Sequence, residues 1–82
     1  MEQFAEKRII DSRGRPCPGP VTDLSKAYRV AKLGDVLEVW ATDPAAKNEI
    51  QTWAKHSGND ILEIADEKNY ARIVVQVTKK RT

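Results

Sequence analysis

The sequence has very few of the residues that bind metals or close disulfides: its 82 residues include one cysteine, Cys17, and one histidine, His56. A single cysteine cannot form a disulfide within the chain, and one cysteine with one histidine cannot complete a structural zinc site. We therefore expect no metal. Cys17 is left as a reactive or carrier thiol, or as an inert cysteine that packs like a small apolar residue.

Long apolar segments are also missing. No apolar run approaches the roughly 20 residues that a membrane-spanning helix needs, and the first seven residues have no apolar core of the kind found in signal peptides. We therefore expect a cytoplasmic protein with no membrane partner, and an unpaired thiol agrees with a reducing compartment.

What is present indicates one soluble globular domain over residues 1–82. Apolar residues make up 40% of the chain and charged residues 32%, a balance typical of folded rather than disordered proteins. A chain of this length can bury a modest two-layer core but cannot form two domains.

Basic residues gather in two places, although the net charge is only +2. They lie before the cysteine and at the end of the chain: Lys7, Arg8, Arg13 and Arg15, then Lys79, Lys80 and Arg81. These charges either solubilise the surface or form a basic rim around the thiol that favours anionic ligands or an acidic partner. The 12 acidic residues spread through the chain argue against direct nucleic-acid binding.

The first half of the chain predicts a strand, a loop and a helix. Residues 4–11 contain the apolar pair Ile9-Ile10 and predict the strand, and the single glycine and single proline of 12–16 predict the loop. Over 18–32 apolar side chains recur every three or four residues, which predicts a helix that stops at Gly34.

The second half predicts a strand, a helix and a hairpin. Residues 36–42 are rich in strand formers, and Asp43 with Pro44 has the residue types that cap and begin a helix. Gly58 and Asn59 would end that helix, and 61–65 and 70–78 predict two strands joined across 66–69. The predicted inner stripe of this second helix is Ala46, Ile50, Trp53 and Ala54.

These elements predict an α/β (α+β) two-layer sandwich of order βαβαββ, with both helices on one face of a mixed four-stranded sheet. The predicted sheet core is Leu37, Val39, Ala41, Leu62, Ile64, Ile73, Val75 and Val77. The opposite face, predicted to be open to water, carries Glu38, Trp40, Arg72, Val74 and Gln76. On that face Trp40 either packs against its neighbours or contacts a partner.

The tetrapeptide Cys17-Pro18-Gly19-Pro20 places the thiol at the start of the first helix. If Cys17 is the N-cap, Pro18 and Pro20 have φ near the helical value and supply no N–H groups. The N–H groups of Gly19 and Val21 are then left to point toward the sulfur, and Gly19 leaves space for another molecule to approach. Because a helix terminus favours a thiolate, we expect a moderately activated thiol.

Other polar residues are predicted to have supporting or structural roles. Arg13 and Arg15 are candidate electrostatic or docking residues that would strengthen the activation by folding back toward the sulfur. Both helices run the same way, so Cys17 and Asp43 share one end of the domain and His56 lies at the other. Cys17 therefore has no histidine base, which disfavours cysteine-protease and acyl-transfer chemistry. Asp43 is predicted to be a helix cap.

Taken in order, these residues resemble the TusA (SirA-like) sulfur-carrier family. The resemblance runs through Asp11-Ser12-Arg13-Gly14, then the tetrapeptide that contains Cys17, and continues with three further segments. These are Gly34-Asp35-Val36-Leu37-Glu38-Val39, Ala41-Thr42-Asp43-Pro44, and Gly58 before Ile61-Leu62-Glu63-Ile64. A Cys-Pro-x-Pro tetrapeptide alone is weak, but in this order within one short domain it is specific.

The resemblance implies a fold similar to the C-terminal domain of translation initiation factor three. It implies that Cys17 accepts sulfane sulfur as a persulfide from a cysteine desulfurase or rhodanese-like donor and hands it to an acceptor protein. It also implies that the sulfur is used in tRNA 2-thiouridine synthesis or in dissimilatory sulfur metabolism. Such a protein is a sulfurtransferase-like carrier rather than a stand-alone enzyme, and it needs no cofactor. Pro18, Gly19 and Pro20 carry over as the setting of the thiol.

The residues by themselves also allow a second function. In this alternative the chain is a non-catalytic binding or regulatory module, or an RNA-binding module, that uses its basic rim or its open sheet face. The two functions differ in their dependence on the thiol. A carrier loses function in Cys17→Ser, whereas a binding module keeps it and loses function when the charges of Arg13 and Arg15 are reversed.

Overall fold

The computed structural model describes residues 6–16 and 18–78 and confirms the predicted order of elements. The elements are β1 (Lys7–Ser12), α1 (Gly19–Val30), β2 (Val36–Ala41), α2 (Ala46–Ser57), β3 (Asp60–Asp66) and β4 (Ala71–Gln76). In the described ranges, no helix is both long and apolar enough to cross a membrane.

The strands form one mixed sheet in the order β1-β2-β4-β3. β1 and β2 are parallel, with Ser12 opposite Ala41, and β4 runs antiparallel to both β2 and β3. The carboxyl ends of β1, β2 and β3 therefore lie at the same end of the sheet. Because α1 follows β1 and α2 follows β2, the segments that lead into the two helices lie side by side at that end, as predicted.

Both helices pack on the same face of the sheet and bury one core. Leu24 of α1 and Ile50 of α2 are fully buried against it. The predicted core is confirmed for six sheet residues, Leu37, Val39, Ala41, Ile73, Val75 and Val77. Each large side chain buried in this way contributes about 1.5–3 kcal/mol to folding.

The stripe of α2 is also confirmed. Ala46, Ile50 and Ala54 are buried. Trp53 is half-buried and packs against the core. Its ring meets Tyr28 of α1 edge-on at 5.2 Å between centroids, which joins the two helices.

The prediction for β3 is wrong at Leu62 and only partly right at Ile64. Leu62 is 52% exposed and Ile64 37% exposed, whereas Ile61 packs against the core. The register of β3 against β4 shifts between Ile61 and Glu63. This bulge adds a residue and interrupts the alternation of faces on which the prediction was based.

The outer face of the sheet was predicted to be open to water, and this is wrong at two of its five residues; Trp40, Arg72 and Gln76 are half-buried. Glu38 is 4% exposed and Val74 7% exposed, although both point away from the helices. Lys7 of β1 and Arg72 of β4 extend their side chains toward Glu38 and form ion pairs with it at 2.9 and 3.9 Å. The long charged side chains therefore cover the middle of the face with their own stems.

The first helix ends earlier than predicted, at Val30 rather than next to Gly34. Ala31 follows it in an extended conformation. Gly34 has φ +93° and donates its N–H to the carbonyl of Val77 at 2.7 Å. Its positive φ thus serves the turn into β2, a conformation that glycine adopts without strain. Gly58, with φ +82°, ends α2 as predicted.

Candidate functional site

The predicted thiol, Cys17, lies outside the described residues, so the site is defined by its two flanks. Pro16 and Pro18 on either side are exposed. The N–H of Gly19 donates to the carbonyl of Pro16 at 2.7 Å, which closes a tight turn between the flanks. α1 begins at Gly19 with Pro18 in the N-cap position, one residue later than predicted, so the N-cap is not Cys17.

Gly19 does not have the surroundings that the sequence predicts. Its N–H is used by Pro16 and is not left for the sulfur. The space beside its Cα is filled by Arg15, whose Cβ and Nε lie 2.9 Å from the position that a Cβ of residue 19 would occupy. Both predictions, the available donor and the open approach, are therefore wrong for Gly19.

A buried hydrogen-bonded cluster ties β1 to α1 next to this turn. Ser12, the last residue of β1, is fully buried, and its Oγ donates to Oδ2 of Asp23 at 2.6 Å. The same carboxylate oxygen pairs with Nε of Arg15 at 3.0 Å. The strand end, the loop and the helix thus converge on one carboxylate.

Arg13 is directed away from this cluster, toward the outer face of the sheet. Its Nε and Nη2 donate to the two carboxylate oxygens of Asp11, both at 2.8 Å. These side-chain hydrogen bonds raise the pKa of Arg13 and lower the pKa of Asp11. The guanidinium also lies 5.0 Å from the ring centroid of Trp40 and 5.6 Å from that of Tyr70, within the range of cation–π attraction. The two arginines proposed for one role therefore have different surroundings.

Trp40 packs on the outer face of the sheet and holds a buried carboxylate. Its Nε1 donates to Oε2 of Glu38 at 2.6 Å, and its ring packs 5.3 Å from that of Tyr70. Burial by itself raises the pKa of Glu38, but the hydrogen bond from Trp40 and the contact with Lys7 outweigh burial and lower it. The strand-face role of Trp40 is therefore observed, while a contact with a partner stays a prediction.

The loop before Cys17 is also joined to the segment before α2. The N–H of Gly14 donates to Oγ1 of Thr42 at 2.8 Å. Asp43 accepts the N–H of Ala45 at 3.3 Å and, through its carbonyl, that of Ala46. The prediction for this helix start is therefore wrong: α2 begins at Ala46 with Ala45 as its N-cap and no side-chain cap, and Asp43 instead stabilises the turn before it. An open groove of about 330 Å³ lies beside this segment, between it and the β3–β4 turn.

Comparison with known proteins agrees with this geometry. The family model described as "Sulfurtransferase TusA" matches residues 8–77. The chain belongs to the TusA family.

Two relatives and one solved structure illustrate its place in the TusA family. A "Putative sulfur carrier protein" of Archaeoglobus fulgidus is 35% identical over 87% of this chain and 97% of its own length. The "Putative sulfur carrier protein YrkI" of Bacillus subtilis is 38% identical over 84% of this chain and 92% of its own. The crystal structure of a SirA-like protein from Desulfitobacterium hafniense has a TM-score of 0.75, with 22% identity, and covers 87% of this chain and 97% of its own. This last likeness confirms the fold.

The remaining predicted residues of this TusA-family chain lie away from the thiol segment or outside the described ranges. His56 is exposed in the last turn of α2, whereas the thiol segment leads into the first turn of α1. The basic tail at 79–82 lies outside the described residues. Over residues 6–16 and 18–78, no three His, Asp or Glu side chains are grouped so as to hold a metal ion.

Sequence reasoning missed Ser12 and Asp23. Ser12 alternates with Ile10 along β1, which places it on the inward face. Asp23 directly precedes Leu24, a fully buried residue of α1. Two features of the sequence could have predicted the hydrogen bond between Ser12 and Asp23. One is a small polar residue at an inward position of a strand, and the other is a carboxylate beside the buried stripe of the next helix.

Proposed function

We propose that this protein is a sulfur carrier that holds sulfane sulfur as a persulfide on Cys17 and passes it to a partner protein. In loading, the Cys17 thiolate attacks the terminal sulfur of a donor persulfide. A new S–S bond forms on Cys17, the S–S bond of the donor breaks, and the donor cysteine leaves as a thiolate. The exchange needs no external oxidant or reductant, and delivery to the acceptor repeats it in the opposite direction.

The family match over residues 8–77 is the observation that carries this proposal. The match includes the only cysteine of the chain. A carrier benefits from having no second cysteine, because a neighbouring thiol would attack the persulfide and release its sulfur. The exposed flanks Pro16 and Pro18 agree with a segment that partner proteins can reach.

The partners that fit this chemistry are a sulfur donor and a sulfur acceptor. The donor is a cysteine desulfurase or a rhodanese-like protein, and the acceptor belongs to tRNA 2-thiouridine synthesis or to dissimilatory sulfur metabolism. We place this relay in the cytosol. The carrier itself needs no bound cofactor, because Cys17 bears the cargo.

Intact-mass analysis tests the carrier role directly. The purified protein is incubated with a cysteine desulfurase and cysteine, and its mass is measured before and after a reductant. We expect an added mass of about 32 Da, one sulfur atom, which the reductant removes. Cys17→Ser should gain no such mass, and His56→Gln is the control that should load like the wild type. Sulfur bound by Cys17→Ser to the same extent would contradict the proposal.

A further inference from the structure

Three elements end together at the side of the domain opposite the loop that leads into α1. Thr78, two residues after β4, donates its hydroxyl to the carbonyl of Gly58, which follows α2, at 3.0 Å. Gly34, in the turn after α1, donates its N–H to the carbonyl of Val77 at 2.7 Å. The ends of α1, α2 and β4 therefore form one continuous surface at this end of the sheet.

Four cations at this surface are exposed and have no carboxylate partner. Lys26 and Arg29 lie in the second half of α1, and Lys32 lies in the turn after it. Lys55 lies in the last turn of α2. Within residues 6–16 and 18–78, none of the four forms an ion pair. Their positive charge is therefore available to a ligand.

Cations at the other end of the sheet are neutralised by contrast. Three of them have ion-pair partners within 3.0 Å: Arg13 with Asp11, Arg15 with Asp23, and Lys47 with Asp66. Carboxylates near the four free cations are few. Asp35 is buried and accepts the N–H groups of Lys32 and Glu6. Glu6 itself pairs with Arg8 at 3.6 Å, which leaves Asp60 at the start of β3.

Two aliphatic side chains lie among these cations. Val30 is 64% exposed and Leu33 60% exposed, more than any other large apolar residue in the described ranges. Lys26, Arg29 and Val30 are spaced by three and four residues, so they share one face of α1. Leu33 directly follows Lys32. A single exposed aliphatic residue is ordinary, but two within a cluster of cations combine an apolar contact with a positive field.

We propose that this surface, the basic end, binds the face of a membrane that contains anionic lipids. The basic end consists of six residues: Lys26, Arg29, Val30, Lys32, Leu33 and Lys55. Lipid phosphates contact the four cations, and the two aliphatic side chains enter the boundary between headgroups and acyl chains. This binding is independent of the sulfur-carrier function.

The size and chemistry of the basic end favour a lipid surface over other anionic partners. A standard protein–protein interface has about 20–30 residues on each side, far more than the basic end offers. Single-stranded nucleic acid is held by cations together with rings on which bases stack. The exposed apolar side chains here are aliphatic, and the rings of Tyr28 and Trp53 pack edge-on against each other. A lipid surface needs only cations and apolar groups side by side.

Surface binding of this kind leaves the other end of the domain accessible. The expectation of no membrane partner is based on the lack of a spanning segment and of a signal peptide, and surface binding needs neither. A protein held by its basic end directs the exposed loop at 13–16 away from the bilayer, because the two lie at opposite ends of the sheet. Other proteins can therefore still reach that loop.

Co-sedimentation with lipid vesicles tests this proposal. The full chain is mixed with vesicles of phosphatidylglycerol and phosphatidylcholine in equal parts, or of phosphatidylcholine alone, at about 0.05 M and about 0.3 M salt. We expect binding to the anionic vesicles at low salt, much less at high salt because the charges are screened, and none to the neutral vesicles. Cys17→Ser should bind like the wild type, since the thiol takes no part.

Matched single variants locate the binding surface. Arg29→Gln and Lys32→Gln should each weaken partitioning into the anionic vesicles about fivefold, the usual value of one basic residue near such a surface. Leu33→Ser changes no charge and should weaken partitioning at least about threefold, because it removes an inserted side chain. Lys68→Gln is the control: it removes an exposed lysine from the β3–β4 turn, at the opposite end, and should leave partitioning unchanged.

Circular dichroism checks that each variant is folded, and Lys32→Gln, which lies outside the helices, decides the question if Arg29→Gln is not. The proposal is overturned if the wild type does not bind the anionic vesicles at low salt, or if Lys68→Gln weakens binding as much as the variants of the basic end. An unchanged Leu33→Ser would also overturn it, as would binding of the wild type to bulk tRNA but not to vesicles.

These results can be separated from sulfur loading. A chain that loads sulfur and ignores the vesicles contradicts this proposal alone. A chain that binds the vesicles without accepting sulfur contradicts the carrier function alone.

Discussion

Ser12 Oγ donates a hydrogen bond to Asp23 Oδ2 over 2.6 Å, joining the last residue of β1 to the second turn of α1. The 11-residue separation between them includes the whole thiol segment. The hydroxyl is fully buried, and the carboxylate is 22% exposed and also binds Arg15. The pair therefore joins the two ends of the segment that carries Cys17. The neighbours of Cys17 in the chain, Pro16 and Pro18, are exposed.

Removal of the Asp23 carboxylate should destabilise the fold through Ser12. In Asp23→Ala the buried hydroxyl loses its acceptor, which costs about 1–3 kcal/mol of unfolding free energy. Urea denaturation measures the loss, and the double variant Ser12→Ala/Asp23→Ala should recover part of it because no orphaned hydroxyl remains. Equal losses in the single and double variants would show that Ser12 does not depend on Asp23.

Trp40→Phe should be costly for a similar reason on the opposite face. The indole N–H is the donor to Oε2 of Glu38, so the variant leaves a buried carboxylate oxygen without that partner. We expect a loss of about 1–3 kcal/mol in urea denaturation. In a Glu38→Gln background the same change should cost less, since a neutral amide tolerates the loss better than a carboxylate. Additive losses would contradict the coupling of Trp40 to Glu38.

Two buried carboxylates should make the fold sensitive to acid. Backbone N–H groups of Lys32 and Glu6 hold the pKa of Asp35 below its usual value, and contacts with Trp40 and Lys7 do the same for Glu38. The unfolded chain therefore binds more protons than the folded one in the acid range. The stabilisation is complete above the unfolded values near pH 4 and is lost as pH falls through the lower folded values.

Chemical denaturation at several pH values measures this effect. The unfolding free energy of the wild type should decrease steadily below about pH 4. Asp35→Asn and Glu38→Gln should each be less stable at pH 7 and should show a flatter acid decrease. As a control, Asp60→Asn removes an exposed carboxylate and should leave the slope unchanged. A wild-type slope that neither buried variant alters would contradict the assignment.

The elements of the fold could be predicted from the sequence because their signals are local. Apolar spacing places Leu24 and Ile50 inward on the helices, and Gly58 at the end of α2 requires only its own backbone freedom. The predicted roles of Gly34 and Gly19 were wrong because each depends on a residue that local spacing does not reveal. The N–H of Gly34 donates to the backbone carbonyl of the distant Val77, and Gly19 leaves room for the long side chain of Arg15.

The candidate site was predictable as a segment but not as a set of contacts. Arg13 and Arg15 are alike in the sequence, yet Asp11 and the ring of Trp40 attract one and Asp23 attracts the other. Asp11 is a local neighbour of Arg13, but Trp40 of β2 and Asp23 of α1 are brought to the two arginines only by the packing of these elements. Cation–π and ion-pair partners across elements have no local periodicity, so composition and spacing could not separate the two arginines.

Because of the bulge in β3, two apolar residues that look equivalent in the sequence differ strongly in burial. Leu62 and Ile73 both fit a sheet core in the sequence, but Leu62 is 52% exposed and Ile73 is fully buried. Ile73→Ala should lose about 2–5 kcal/mol of unfolding free energy because it removes packed methyl groups and leaves a cavity. Leu62→Ala should change it by no more than about 0.5 kcal/mol, the usual limit for surface positions.

Urea denaturation of the two variants side by side measures this difference. Ile61→Ala is the third member of the set, and it should lose an intermediate amount because Ile61 packs against the core only in part. If the sheet instead alternated without a bulge, Leu62 would point inward, and its replacement would cost more than that of Ile61. The order Ile73, Ile61, Leu62 in decreasing loss therefore requires the register shift between Ile61 and Glu63.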